Sequence, residues 1–468
     1  MAQEAYEIDP KIPLQCPIAT RDGTLSKDSL MRNCYSEVCE GGKVTRKRPG
    51  LSLGRQLTPG VGQGLFINNN VPYAIQNDTI VNLDTGVGTA IPAVTVAGQQ
   101  YQSLSDVPFG TSLLKSGDGL WVFTGGVCTK VVDPNYPALT VFGIAYLDGT
   151  YYVMDGFGKV FGSALEDATT WPALNFIGAD ATLGLGAAIT RHLNYIVAFY
   201  EHGTQFFYDA ANPTGSPLSP VGNASWTTGA AVGSSVVEIS DQTFWIGQTR
   251  QRGRTIETFN GLAKSIVSTP FIEKILNRSQ FTDVGGLVFS FGLKTDGHTF
   301  FVLTITDVGC TLVYDAIMNE WHAWTSVTAG VESEFRYINY LAAHTVDLLQ
   351  ERSSGAIVQV LPTVFQDTGN PIRCFIRTKP YDFGTLRQKR YPSLSLIADT
   401  VQSTIAVSHS DDDYTTFSVP RDVNLASVRK MLLRNGQARR RSWDLLHVAN
   451  TPLGLYEVEF NDMSISST

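Results

Sequence analysis

Charge is scarce in this chain. Of its 468 residues only 17% are Asp, Glu, Lys or Arg, against roughly 25% in ordinary globular proteins. Ser, Thr, Asn, Gln and Gly must therefore make much of the soluble surface, and surfaces of that kind often face other subunits. Basic excess is also missing: 35 Lys and Arg stand against 43 Asp and Glu, a net charge of −8. That excludes broad, tight DNA binding, which needs a basic face. It leaves room for passing DNA, because a weakly acidic wall repels phosphate and lets a duplex slide. Cysteine is sparse, with Cys16, Cys34, Cys39, Cys128, Cys310 and Cys374 and no C-x-x-C pair. The sparseness excludes a disulfide scaffold and reads as reduced, mostly buried small hydrophobes. The seven histidines form no H-x-x-x-H, H-E-x-x-H or Cys/His quartet, so no metal or cofactor is assigned. G-x-S-x-G and G-x-x-x-x-G-K-S/T are absent too. No apolar run approaches the roughly 20 residues of a membrane helix. Met1–Pro10 lacks a basic region and an apolar core, so no secretory signal is expected and the chain reads as soluble, made in the cytoplasm.

Turn formers and strand formers are abundant instead. The chain holds 43 Gly and 21 Pro, spread along its whole length, with 24 Phe and 18 Tyr. Many turns with many aromatic and β-branched residues mean short strands. Beyond residue 50 one unit recurs: a β-rich run, a polar turn, a second β-rich run. Instances are Phe66–Ile75, Ser116–Val132, Ile144–Val160, Ile189–Tyr208, Val237–Phe259, Val288–Tyr314 and Tyr337–Val360, with turns at Gly119, Gly149, His192-Leu193, Asp241-Gln242, Gly297 and Gly355. From the third unit on, the spacing matches a four-stranded propeller blade, about 45 residues. The expected fold is all-β. It comprises an irregular segment over 1–50, with a short helix near Ser26–Val38, a β-propeller of about six to eight blades over 51–372, and a C-terminal β-sandwich platform over 373–468. A non-repetitive array of β-sandwiches is the competing reading. One short helix is expected in Pro270–Ser279, where Ile272, Ile275 and Leu276 share a face.

Three constellations merit a functional reading. The acidic stretch Ser410-Asp411-Asp412-Asp413-Tyr414-Thr415-Thr416-Phe417 resembles the Asp box of sialidase-like propellers, S-x-D-x-G-x-T-W. Ser410, Asp412 and Thr416 match, and Tyr414 stands where Gly is usual. It reads as a structural β-turn held by its own side chains; a cation site and a catalytic carboxylate are the alternatives. Two basic clusters, Arg46, Lys47 and Arg48, then Arg429, Lys430, Arg434, Arg439, Arg440 and Arg441, read as solvated faces, as docking surfaces for a partner, or as phosphate contacts. Trp245, Trp321 and Trp324 lie on or beside strand runs and are expected in the core. No catalytic set is visible, so the chain reads as a non-enzyme. A glycan-active propeller enzyme, sialidase- or depolymerase-like, and a receptor-binding tail protein are the alternatives.

Several phrases are similar to the packaged-DNA stabilisation proteins, the tail hub or nozzle, of short-tailed phages of the lambdoid Salmonella-phage type. They are Asn33-x-Tyr35-x-Glu37 followed by Arg48-Pro49-Gly50-Leu51, then Tyr146–Trp171, Thr243–Leu276, and Asp296–Trp324. The resemblance runs in the same order over nearly the whole chain. It implies a structural virion protein in a ring of six subunits below the portal and its adaptor. Such a ring extends the DNA ejection channel, helps retain packaged DNA and supports tail fibres or tailspikes and a distal needle or plug. DNA would pass without sequence-specific binding, and no membrane insertion is implied. The family's motifs are turn and blade grammar, so no catalytic residue carries over.

Overall fold

The computed structural model describes residues 10–18, 29–107, 110–178, 183–251, 253–281, 288–344 and 346–466. Short antiparallel sheets dominate. Seven of them succeed one another along the chain as blades of a closed β-propeller. Blade 1 is Gly62–Asn68, Val71–Gln76, Thr79–Asn82 and Gly88–Ala90; blade 2 is Gln102–Val107, Thr111–Ser116, Gly119–Thr124 and Val127–Lys130. Blade 3 is Ala145–Leu147, Thr150–Met154, Lys159–Gly162 and Phe176–Gly178; blade 4 is Gly186–His192, Tyr195–Tyr200, Thr204–Asp209 and Leu218–Trp226. Blade 5 splits its inner strand into Gly229–Ala230 and Val237–Ile239, before Gln242–Gln248, Thr255–Asn260 and Ala263–Ile266. Blade 6 is Val288–Thr295, His298–Ile305, Cys310–Asp315 and Glu320–Thr328. Blade 7 takes Tyr337–Ala343, Val346–Glu351 and Ala356–Leu361 from one end of the ring and Gly50–Gln56 from the other. Register pairs such as Val358↔Leu53 and Val360↔Leu51 close the circle.

The local reason for the blades is turn chemistry. Asn69 and Asn70, Asn77 and Asp78, and Ser240 and Asp241 all adopt positive φ, as a two-residue hairpin turn matched to strand twist requires. Asp148-Gly149 and Asp296-Gly297 do the same. Of the turns read from the sequence, Gly149, His192-Leu193, Asp241-Gln242 and Gly297 mark the first hairpin of a blade, whereas Gly119 and Gly355 mark the second. The repeat is real but its phase shifts at both ends.

Packing follows from alternation along the strands. Each adjacent blade pair encloses its own apolar cluster. Phe66, Trp121 and Phe123 lie between blades 1 and 2; Tyr151, Val153 and Trp171 pack blade 3 on blade 2. Ile196 and Tyr152 join blades 3 and 4, and Phe199, Trp245 and Phe259 join blades 4 and 5. Phe244 and Phe301 stack across blades 5 and 6, Phe300, Trp324 and Val358 fill the gap to blade 7, and Leu65 meets Leu348 where blade 7 meets blade 1. At about 1.5–3 kcal/mol for each fully buried large side chain, these seven cores hold the ring together without a central one. Trp245, Trp321 and Trp324 are all buried. The helix Pro270–Leu276 sits in the blade 5–6 core, capped by the Thr269 hydroxyl, with Phe271, Ile272, Ile275 and Leu276 buried.

The N-terminal segment departs from expectation. Its described part holds strands where an irregular run is expected, and no helix near Ser26–Val38; residues 19–28 lie outside the described residues. Lys11–Pro13, Leu30–Arg32, Cys34–Cys39 and Gly42–Lys47 are strands. The helix reading fails because Leu30–Arg32 is claimed on both edges: Arg32 pairs with Ala323 of blade 6 on one side and with Phe375 on the other. Asn33, at φ 56°, then breaks the chain into the next strand. The blade 6 sheet thereby continues through Leu30–Arg32 into Cys374–Arg377, Ser442–His447, Thr404–Ser410 and Arg421–Asn424. A second sheet orders Cys34–Cys39, Gly42–Lys47, Gly454–Glu459, Ser393–Ala398 and Met431–Leu433, with Lys11–Pro13 added on Gly454–Glu459. Ile12, Met31, Tyr391, Leu394, Trp443, Val458 and Phe460 are buried in one core, shared by N- and C-terminal strands.

Candidate docking surfaces and the N-terminal junction

The first basic cluster is largely internal. Arg48 is 1% exposed and forms a bidentate pair with Asp367, with Nη1 2.9 Å from Oδ1 and Nη2 on Oδ2. Its remaining donors are also used: Nε to Asn33 Oδ1 at 3.1 Å, Nη1 to the Pro49 carbonyl at 3.1 Å, Nη2 to the Thr325 carbonyl at 3.1 Å. The Phe335 ring lies 5.1 Å from the guanidinium carbon. Asn33 completes the knot, donating to Thr325 Oγ1 and the Arg373 carbonyl and accepting from the Thr325 amide. One side-chain pair thus joins the N-terminal strands, blade 6, and the chain leaving blade 7. Gly50 is required beside it, since a Cβ there would stand 2.5 Å from the Val364 carbonyl oxygen.

Lys47 is 3% exposed, and its ammonium donates to the Ala449 carbonyl at 2.8 Å. Burial pushes it down to about 8. Arg46 is half-buried between Glu37 and Asp399, at 2.8 and 2.9 Å. Arg48 and Lys47 therefore cannot serve as docking residues, and Arg46 already has two carboxylate partners. The physical reason is hairpin alternation, which turns Lys47 inward, together with a junction that supplies a buried carboxylate for Arg48.

The C-terminal cluster divides. Arg441 is 2% exposed, bidentate to Asp411 at 2.6 and 2.7 Å, and lies over the Tyr391 and Trp443 rings. It too is structural, not a docking residue. Arg429, Arg434, Arg439 and Arg440 are exposed and Lys430 is half-buried. Around them lie Val428, 97% exposed, and Leu433, 57% exposed. Lys430, Met431 and Leu433 also line a shallow groove of about 580 Å³ with Ser393, Ser395 and Asn461. Leu433 ends the outermost strand of its sheet, Met431–Leu433, and Val428, Arg429, Lys430 and Arg434 flank that strand, so apolar and basic side chains share one exposed edge.

The acidic turn closes on itself. Asp412 Oδ1 accepts from the Thr416 amide at 2.8 Å and from Ser410 Oγ at 2.9 Å, and Oδ2 accepts from Thr416 Oγ1 at 2.6 Å. The Thr416 hydrogen bonds hold the Asp412 carboxyl down at about 2. Asp413 and Tyr414 both take positive φ, so Tyr414 adopts the backbone that glycine would. Its cost is offset by burial and a hydrogen bond from its hydroxyl to the Thr378 carbonyl at 3.0 Å.

Other polar pairs are equally structural. His298 and Asp315 meet at 2.6 Å, buried, while Asp315 Oδ1 accepts from the Ile317 amide in the following turn. His192 of blade 4 bridges to Thr243 and Gly261 of blade 5, each at 2.9 Å. Sequence reasoning missed the Arg48–Asp367 pair, because Asp367 lies 319 residues away with no local signal. No group of three or more His, Cys, Asp or Glu suited to a metal ion occurs among the described residues, and no helix in them is long and apolar enough to cross a membrane.

The chain is distantly similar to several proteins of known structure. Solved structures resembling it include the extracellular domain of BT4673 from B. thetaiotaomicron, at 9% identity and a TM-score of 0.44, covering 66% of this chain and 40% of that one. The WD40 domain of Neurospora crassa Pan2 is 8% identical, with a TM-score of 0.42 over 67% of this chain and 95% of that one. BamB from Moraxella catarrhalis is 8% identical, with a TM-score of 0.38 over 76% and 97%. No curated protein sequence matches. A family profile described as bacteriophage P22 Gp10, β-propeller, matches residues 28–360. That span covers more than half of the chain, from the N-terminal junction into the strand Ala356–Leu361, so this chain belongs to the phage-stabilisation family of bacteriophage P22 Gp10.

Proposed function

We propose that the protein is one subunit of a hexameric tail nozzle in a short-tailed phage, docked under the portal and adaptor. The observation carrying this reading is the family match over residues 28–360, which takes in strands of all seven blades. The architecture supports it. A ring closed by Gly50–Gln56 and joined to the sandwich through Leu30–Arg32 is stiff, and stiff subunits suit a conduit. In this reading the nozzle extends the ejection channel, retains packaged DNA, and supports tail fibres or tailspikes and a distal needle or plug. Genomic DNA passes without sequence-specific contact.

Charge distribution favours assembly through the platform. Residues 373–468 carry 13 Lys and Arg against 10 Asp and Glu, whereas residues 1–372 carry 22 against 33. With the buried Lys47, Arg48 and Arg441 removed, Arg429, Arg434, Arg439 and Arg440 are the exposed docking candidates, beside the half-buried Lys430 and Arg46. They suit an acidic neighbour, either the next subunit or the adaptor. Native mass spectrometry and negative-stain imaging of assembled tails test the reading. Six copies in a closed ring are expected, and particles lacking the protein should lose their DNA. A strictly monomeric protein absent from virions would sink it.

A further inference from the structure

We propose that Cys34 and Cys374 form a latent redox staple that, once oxidised, locks the propeller ring shut. The two residues lie 0% and 1% exposed in one core cluster. Cys34 follows the strand Leu30–Arg32, whose Arg32 stands opposite Phe375, the neighbour of Cys374. The Cys34 Sγ lies 3.5 Å from the Arg32 carbonyl and 3.8 Å from the carbonyl of Phe375, the residue next to Cys374, and, after burial itself, Cys374 is among the neighbours that raise the Cys34 thiol. The chain holds six free cysteines.

Topology gives the pair its consequence. From Cys34 the chain runs through the hairpin to Gly50–Gln56, the closing strand of blade 7. It then travels round every blade and returns to the sandwich at Cys374. The closing strand is held by ladder hydrogen bonds, by packing and by side-chain bonds from Arg55 to the Leu83 carbonyl and from Gln56 to the Ser354 carbonyl, with no covalent tie. A Cys34–Cys374 bond would tie the chain before the closing strand to the chain after the last blade. Such a cross-link encloses nearly the whole propeller in one loop and removes many unfolded conformations. Burial raises the Cys34 thiol well above its ordinary value, which leaves little thiolate for exchange, and a reducing cytosol keeps the pair as thiols. A virion component then passes to an oxidising exterior.

The chemistry needs an added oxidant, here a small disulfide such as oxidised glutathione. One cysteine thiolate, exposed by local opening, attacks a sulfur of the small disulfide and expels one thiolate. The second cysteine thiolate attacks the mixed disulfide and expels the other. The protein loses two protons and two electrons and gains one S–S bond; the small disulfide becomes two thiols.

The test uses the full chain, purified with reductant and then exposed to oxidised glutathione at pH 8. Peptide mass mapping after alkylation should find Cys34 linked to Cys374. The unfolding temperature should rise by about 5 °C and fall back on reduction. Cys34→Ala and Cys374→Ala should each abolish the rise; should either fold poorly, the mapping of the unsubstituted chain still decides. Three results would overturn the proposal: both thiols free in the native chain when the urea-unfolded chain oxidises, Cys34 linked to Cys16 or Cys39, or the expected bond with no gain in unfolding temperature. None depends on the ring stoichiometry proposed above.

Discussion

Arg48 and Asp367 form a bidentate ion pair at the meeting point of the N-terminal strands, blade 6 and the exit of blade 7, with both side chains at 5% exposure or less. Removing one partner leaves an uncompensated buried charge. Arg48→Met or Asp367→Asn should cost about 3–5 kcal/mol in urea unfolding. The double substitution should cost clearly less than the sum. Strict additivity would show that the pair does not couple the three elements.

Acid should weaken the fold through three histidines. Burial holds His322, His409 and His447 down at about 4, against an ordinary value of 6.5. Between those values the unfolded chain binds protons that the native chain does not. Stability is therefore full above pH 6.5 and falls as pH drops toward 4, with His322 contributing up to about 3 kcal/mol. His322→Phe should flatten part of that dependence in unfolding measured from pH 7 to pH 4.

The clasp strand should be indispensable. A chain starting at residue 57 lacks Gly50–Gln56 and leaves Ala356–Leu361 as a bare edge. Exposed edges pair with other chains. Size-exclusion chromatography should show aggregates, whereas a chain starting at residue 10 should elute like the full protein.

The Asp412 turn should respond to substitution and ignore metal. Asp412→Ala removes three acceptor contacts at once, so limited proteolysis within 411–416 should accelerate. EDTA and calcium should leave the unfolding temperature of the parent unchanged. A calcium-dependent rise would make the turn a cation site.

Charge reversal on the platform should separate folding from assembly. Arg429→Glu with Arg434→Glu and Arg439→Glu alters exposed residues only. Circular dichroism and unfolding temperature should stay near those of the parent. Incorporation into tails should drop at least about tenfold, which corresponds to 1.4 kcal/mol. Unchanged incorporation would remove the platform from the interface.

Much of the propeller was legible because its signals are local. Asn69-Asn70, Asp148-Gly149 and Asp296-Gly297 announce hairpins by backbone conformation alone, and alternation around them sets which face is buried. Thr269, Pro270 and the apolar spacing at Ile272, Ile275 and Leu276 announce the helix in the same way. The N-terminal strands carried weaker signals. A short apolar run such as Leu30-Met31 suits helix or strand equally, and here partners at Ala323 and Phe375, distant in sequence, decided the matter.

Basic residues show the same division. Arg46–Arg48 and Arg439–Arg441 look alike as runs of cations, yet Arg48 and Arg441 are buried against Asp367 and Asp411 while Arg439 and Arg440 face solvent. By itself the sequence determined an all-β chain of repeated hairpins with an acidic balance. Its turns and alternation act over a few residues, and any tertiary arrangement must respect them. Only the tertiary structure decided that there are seven blades, that the first strands belong with the last, and which cations remain free for a partner. Those outcomes depend on ring closure and on burial between segments hundreds of residues apart, where desolvation, not local propensity, sets the energy.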